Sequence, residues 1–169
     1  EEHGGPAQSM LEAAIVDEEL GRALAPSPHF VSAVVSASAL LAAASDAQKS
    51  KWLPKIASGE AILTPAWLEP DGGFGPKGVQ LEAKASGDGF VLSGVKRHVT
   101  FASAATRLVV LARTGAGERD IDLFLVDPQA QGVTLTQQRS LAADTQYRVD
   151  LAGVRVAAAD RIGAAGSGW

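Results

Sequence analysis

The chain has 169 residues, of which 46% are hydrophobic and 20% charged, with a formal net charge of −4 and no cysteine. This composition is ample for a core and unlike that of a disordered chain. Without a basic stripe it argues against nucleic-acid binding, and without cysteine it excludes disulfides, thiolate catalysis and Cys-bearing metal sites. Histidines at 3, 29 and 98 are too scattered in the sequence to suggest a metal cluster. Glu1-Glu2-His3 has the wrong charge for the start of a signal peptide. The apolar run from Phe30 to Ala44 is broken by Ser32, Ser36 and Ser38 and is shorter than the ~20 residues a bilayer span requires. A soluble, cytoplasmic protein of one domain or one and a half is expected.

Pro6 suits the first turn of a helix, where its missing N–H costs nothing. Ala7, Met10, Leu11, Ala14, Ile15, Gly21 and Leu24 follow a helical stripe, with Glu12, Asp17 and Glu19 mostly on the solvated side. Pro26-Ser27-Pro28 ends that helix. The stretch from Phe30 to Ala44 is apolar almost all round and predicts a second helix with neighbours on several sides. Ser45-x-x-Gln48 reads as a capping box, which predicts a third helix from Asp46 to Ala57 with Pro54 inside it.

From Ala61 the period changes to alternation. Ile62, Val79/Leu81/Ala83, Phe90/Leu92, Leu108/Val110, Ile121/Leu123/Leu125, Val133/Leu135, Val149/Leu151 and Val154/Val156 read as strands. Turns are expected at Gly87-Asp88-Gly89, Gly115-Ala116-Gly117, Pro128 to Gly132 and Ala152-Gly153. The fold class is α+β: N-terminal antiparallel helices followed by an antiparallel β-barrel or sandwich.

One stretch stands out for chemistry. Thr64-Pro65-Ala66-Trp67-Leu68-Glu69-Pro70-Asp71-Gly72-Gly73-Phe74-Gly75 is a strand breaking into a glycine-rich loop, and Gly94-Val95-Lys96-Arg97-His98-Val99-Thr100 is a polar strand after a hairpin. Such a loop can bring backbone N–H groups close to a ligand; it can equally be an ordinary turn and hairpin.

This order resembles the middle domain of the acyl-CoA dehydrogenase family, whose pattern reads Thr-Glu-Pro-x-Ala-Gly-Ser-Asp and then Gly-x-Lys-x-Trp-Ile-Thr. Glu69-Pro70, Lys96, Val99 and Thr100 fit, whereas Leu68, Phe74 and His98 stand where Thr, Ser and Trp are expected. Glu1 to Gly5 resembles the family's Glu-Glu-Tyr/His-Gly-Gly turn, and Arg161 to Trp169 its exit from the barrel. The resemblance implies residues 1–60 as the end of an N-terminal helical domain, 61–163 as the middle β-barrel, and 164–169 as the start of a linker to a C-terminal helical bundle. It covers about 40% of a whole member.

What the resemblance implies about cofactors is FAD. Carried over by position, Trp67, Leu68, Gly73 and Phe74 hold the loop contacts, and His98 and Thr100 the strand contacts, with the Thr hydroxyl near the reactive ring nitrogen. Each has a structural alternative. Thr100 suits a strand by propensity, His98 can be a satisfied strand histidine, and Trp67 can be core. Leu68 cannot supply a hydroxyl, and Phe74 brings bulk that could close part of a pocket. Lys96 and Arg97 read as surface cations or as groups reaching a phosphate of FAD or CoA. Glu69-Pro70 reads as a structural kink. The family's Arg-x-Ser-x-Thr segment is replaced by Ala142-Ala143-Asp144-Thr145-Gln146.

The function so implied is α,β-desaturation of an acyl-CoA thioester, with hydride passing to FAD and an electron-transfer flavoprotein as oxidant. The catalytic base is expected in the C-terminal bundle, so no catalytic residue is assigned here. Family members form oligomers, so a homo- or hetero-oligomer is expected at full length. Two other readings stay open: a non-catalytic partner subunit with a degenerate flavin site, and a flavin-dependent monooxygenase on the same fold.

Overall fold

A computed structural model describes residues 9–141 and 144–169. The readings placed on Glu1 to Gly5, Pro6, Ala7, Ala142 and Ala143 lie outside the described residues.

Three helical segments come first. Helix α1 (Met10–Arg22) starts at a capping box in which the Ser9 hydroxyl and the Glu12 carboxylate satisfy the first free N–H groups. None of its residues is fully buried, and its apolar stripe is exposed at Met10, Leu11 and Ile15. His29 Nδ1, 2.9 Å from Asp17 Oδ1, ties it to the next segment. That second segment departs from a simple α-helix: Phe30–Ser36 is π-helical and runs into α2 (Ala37–Ala43). Two buried serines find their partners here. Ser36 Oγ donates back to the Val31 carbonyl at 2.7 Å, and Ser32 Oγ accepts the Leu63 N–H at 3.1 Å. Helix α3 (Asp46–Ala57) begins at the Ser45–Gln48 capping box, as its sequence predicts, and carries Pro54.

The strands are β1 (Leu63–Ala66), β2 (Glu82–Ser86), β3 (Gly89–Thr100), β4 (Arg107–Arg113), β5 (Ile121–Val126), β6 (Val133–Gln138), β7 (Gln146–Ala157) and β8 (Arg161–Ile162). They form one sheet in the order β6-β7-β3-β2-β4-β5-β8, with β1 beside β4. The α+β class holds, with helices followed by a mostly antiparallel sheet. Two details differ from an antiparallel barrel. Pairing runs as an open path whose ends, β6 and β8, do not meet, and both β1 and β2 run parallel to β4.

Two local expectations are also corrected. Ala152-Gly153 is a bulge inside β7, because β3 keeps its pairing on both sides of it: Leu92 faces Val154 and Gly94 faces Leu151. Gly153 takes φ +68° there, where glycine carries no Cβ penalty. Val79 and Leu81 are buried but precede β2. The Gly87-Asp88 turn does join β2 to β3, with Ser86 opposite Gly89.

The main core lies on one face of the sheet, around Leu92, Leu108, Val110, Phe124 and Val149. A second core joins α2 and α3 to the sheet through Leu40, Trp52, Leu53, Leu63 and Leu125. Gln48 reinforces that joint, since its amide donates to the carbonyls of Ala159 and Arg161, each at 2.9 Å. Among the described residues no helix is long and apolar enough to cross a membrane.

Candidate functional site

The site arises where one line of strand is interrupted. Ala66, at the end of β1, lies opposite Val110 of β4, and Glu82, at the start of β2, lies opposite Arg113. While β4 advances only through Leu111 and Ala112, the chain makes the excursion 67–81. Leu111 is thereby left facing a cleft of about 600 Å³. That volume falls in the range of small-molecule sites. Trp67, Leu68, Gly73, Phe74, Val79 and Trp169 are among its other walls, and the lining is almost wholly apolar.

Glycines close the excursion on itself. A Cβ on Gly78 would stand 2.0 Å from the Gly73 carbonyl oxygen, and one on Gly72 would stand 2.5 Å from that of Gly78. Arg113 fastens the same loop by donating to the carbonyls of Val79 at 2.8 Å and Pro76 at 2.7 Å. These two glycines therefore serve backbone-to-backbone contact, while Gly73 faces open space.

The excursion is stitched to β3. The Arg97 N–H donates to the Leu68 carbonyl at 2.8 Å. Lys96 Nζ donates to Glu69 Oε1 at 2.6 Å and to the Trp67 carbonyl at 3.3 Å. Glu69 in turn accepts the N–H groups of Gln80 at 3.0 Å and Leu81 at 3.1 Å. One carboxylate thus links the 67–70 wall to the 79–81 wall. This corrects two readings: Lys96 is fully buried rather than a surface cation, so it cannot reach a phosphate, and Glu69 is an ion-pair partner as well as part of a kink. Burial pushes the Lys96 ammonium below its usual range, and the Glu69 carboxylate opposes that shift.

Trp67, Leu68, Gly73 and Phe74 therefore meet at one cleft. Trp67 is half exposed and Phe74 almost fully so, which excludes a core role for either. His98 and Thr100 do not line the cleft; they adjoin it through the Arg97–Leu68 bond, and through Thr64 Oγ1, which donates to the Thr100 carbonyl at 2.7 Å. A bulge between Lys96 and Val99 gives His98 a left-handed φ of +53°, and Phe101 follows at +55°. Thr100 thus sits between two kinks of the kind that cluster at functional sites.

Sequence reasoning missed the polar group beside His98. The His98 N–H donates to Gln138 Oε1 at 2.9 Å, and His98 Nδ1 lies 3.0 Å from Gln146 Oε1. Gln146 Nε2 donates to Asp144 Oδ2 at 3.2 Å, while Asp144 Oδ1 is buried with no hydrogen-bond partner among the described residues. The signal was Asp144-Thr145-Gln146 itself, three polar residues in a row at the approach to β7.

The acyl-CoA dehydrogenase middle-domain model matches residues 65–154, and the acyl-CoA dehydrogenase N-terminal-domain model matches residues 1–60. The chain belongs to the acyl-CoA dehydrogenase family. Among its relatives is the probable acyl-CoA dehydrogenase YngJ of Bacillus subtilis, 32% identical over 96% of this chain and 45% of that protein. A solved structure of the ChsE4-ChsE5 complex from Mycobacterium tuberculosis superposes with a TM-score of 0.87 at 27% identity, covering 99% of this chain and 44% of that one. A glutaryl-CoA dehydrogenase from Mycobacterium smegmatis in complex with FADH2 superposes at 0.70 with 32% identity, covering 78% of this chain and 34% of that one. The chain thus spans less than half the length of these acyl-CoA dehydrogenase relatives.

Proposed function

We propose that this chain forms one wall of the flavin site of an acyl-CoA dehydrogenase acting on an acyl-CoA thioester. The observation that carries this reading is the 2.8 Å bond from Arg97 to Leu68. It holds the loop Trp67–Phe74 against the strand end His98–Thr100, the two segments whose order resembles the family's cofactor wall. Family membership supports the reading, as does the FADH2 held by the Mycobacterium smegmatis relative.

The residues present fit such a ring. The apolar cleft is of ligand size, and Asp144 Oδ1, without a partner among the described residues, is an acceptor in want of a donor. When bound, FAD supplies the hydride acceptor for Cα–Cβ desaturation. Trp67 and Leu68 offer apolar surface, Gly73 an open backbone, Thr100 a hydroxyl, and His98 a flat polar ring. The base belongs to a segment outside this chain, and an electron-transfer flavoprotein serves as oxidant of the reduced cofactor. Anaerobic addition of acyl-CoA thioesters to the full-length protein tests the reaction. Bleaching of a flavin band supports it; a bound flavin that no acyl-CoA reduces contradicts it.

A second reading is favoured by one specific feature. Leu68, Phe74 and His98 all depart from the Thr, Ser and Trp expected, which suits a partner subunit that has lost flavin contacts within a hetero-oligomer. The likeness to a two-component complex is consistent with it. Co-purification with a second, flavin-bearing chain while this one stays colourless would favour that reading.

A further inference from the structure

His98 is the candidate site residue whose hydrogen-bonding state the structure fixes. Asp144 sets the orientation of its neighbour. A carboxylate only accepts, so the Gln146 atom 3.2 Å from Asp144 Oδ2 must be its NH₂ group. That turns the Gln146 carbonyl toward His98, where Oε1 lies 3.0 Å from Nδ1. An amide oxygen also only accepts, so Nδ1 carries the hydrogen. A neutral imidazole with hydrogen on Nδ1 keeps a lone pair on Nε2.

The ring is held in place by more than this bond. The His98 backbone N–H donates to Gln138 Oε1, and Gln138 faces Gln146 directly across β6 and β7. The bulge then sets the left-handed backbone from which the ring projects. His98 is exposed, and among the described residues the hydrogen bond of its ring is the one at Nδ1.

We propose that Asp144, acting through Gln146, locks His98 in the Nδ1–H tautomer, so that Nε2 is the acceptor this site offers to a ligand N–H or O–H group. The lock rests on this chain's geometry; the identity of the ligand rests on the flavin reading. An indole at the same position can only donate, so histidine reverses the polarity there. The matching ligand groups on a flavin nucleotide are its imide N–H and its ribityl hydroxyls. Asp144 and Gln146 are positioning residues, and His98 is the one that meets the ligand.

The test is a long-range ¹H–¹⁵N spectrum of the full-length protein labelled in histidine, recorded where the imidazoles are neutral. The expected result is a protonated Nδ1 and an unprotonated Nε2 at His98. Gln146→Leu loses that pattern, and Asp144→Ala, which frees the Gln146 amide to turn, weakens it. Added FAD moves the Nε2 resonance into the hydrogen-bonded range, and His98→Phe weakens FAD binding about two- to tenfold, as loss of one hydrogen bond implies. A wild-type His98 protonated at Nε2, or a Gln146→Leu spectrum unchanged from wild type, overturns the lock. An Nε2 resonance unmoved in a protein that does hold flavin overturns the acceptor role. A protein that takes up no FAD overturns the flavin reading and the ligand half with it, while an Nδ1–H signature in that same protein upholds the lock.

Discussion

The ammonium of Lys96 lies 2.6 Å from Glu69 Oε1, with the two side chains 0% and 7% exposed. The pair spans the junction between β3 and the excursion 67–81. Desolvating two charges is costly, so such a pair adds modestly to stability while intact; removing one partner strands the other in the interior. Lys96→Met is expected to destabilise the protein by about 3–5 kcal/mol. Lys96→Met combined with Glu69→Gln should cost clearly less than the two single changes summed. Urea unfolding of the three variants completes the cycle, and strict additivity would show that the pair is not coupled.

Gln48 joins helix to sheet. Its Oε1 accepts the Ser45 N–H at 3.0 Å while its amide serves the two carbonyls before and within β8. Gln48→Ala leaves these buried groups without a partner, so a loss of about 1–3 kcal/mol is expected. Gln48→Glu should be worse, because a carboxylate oxygen would then face two carbonyl oxygens. Thermal unfolding ranks the two, and equal midpoints would contradict the role assigned to the amide.

Gly78 tests the excursion apart from the sheet. Gly78→Ala forces a Cβ against the Gly73 carbonyl, and the loop must shift. The expected cost is about 1–3 kcal/mol, accompanied by weaker ligand binding at the cleft. Tryptophan fluorescence from Trp67 reports the movement. A variant with unchanged emission and unchanged stability would mean that the glycine contact is not what closes the loop.

Acid sensitivity has a defined sign at one pair. Hydrogen bonds from the Arg148 guanidinium hold the Asp150 carboxyl below its ordinary value of 3.8. A carboxyl depressed in the folded state contributes stability that is present above the unfolded value and lost as pH falls through the folded one. Arg148→Gln is therefore expected to lower stability slightly at pH 7, by the small amount typical of an exposed pair, and to flatten the acid limb, the difference between the two proteins vanishing below the folded-state value. An unchanged acid limb would show that the guanidinium contributes nothing there.

Much of the fold was legible because it rests on local chemistry. The Ser45–Gln48 cap and the Gly87-Asp88 turn each act within a few residues, and both fall where the sequence places them. What failed to read depends on distant partners. Lys96 is charged and so looks exposed, until Glu69, 27 residues away, is folded against it. Ala152-Gly153 has the composition of a turn, and only the continued pairing of β3 across it makes it a bulge. The parallel placement of β1 and β2 along β4 follows from the excursion, which alternation cannot reveal. At the candidate site, the loop and strand were legible as a resemblance, whereas the Asp144–Gln146–His98 chain was not, because it replaces the family's usual residues with different chemistry.

The central claim, that the Trp67–Phe74 loop and the His98–Thr100 strand form a flavin wall, is tested most directly by the visible spectrum of the full-length protein after addition of FAD and removal of excess. The account predicts a flavin band at one equivalent per chain, and a stronger hold on it in Leu68→Thr, where a hydroxyl is restored. A protein that stays colourless after saturating FAD, with its fold intact by circular dichroism, would contradict it.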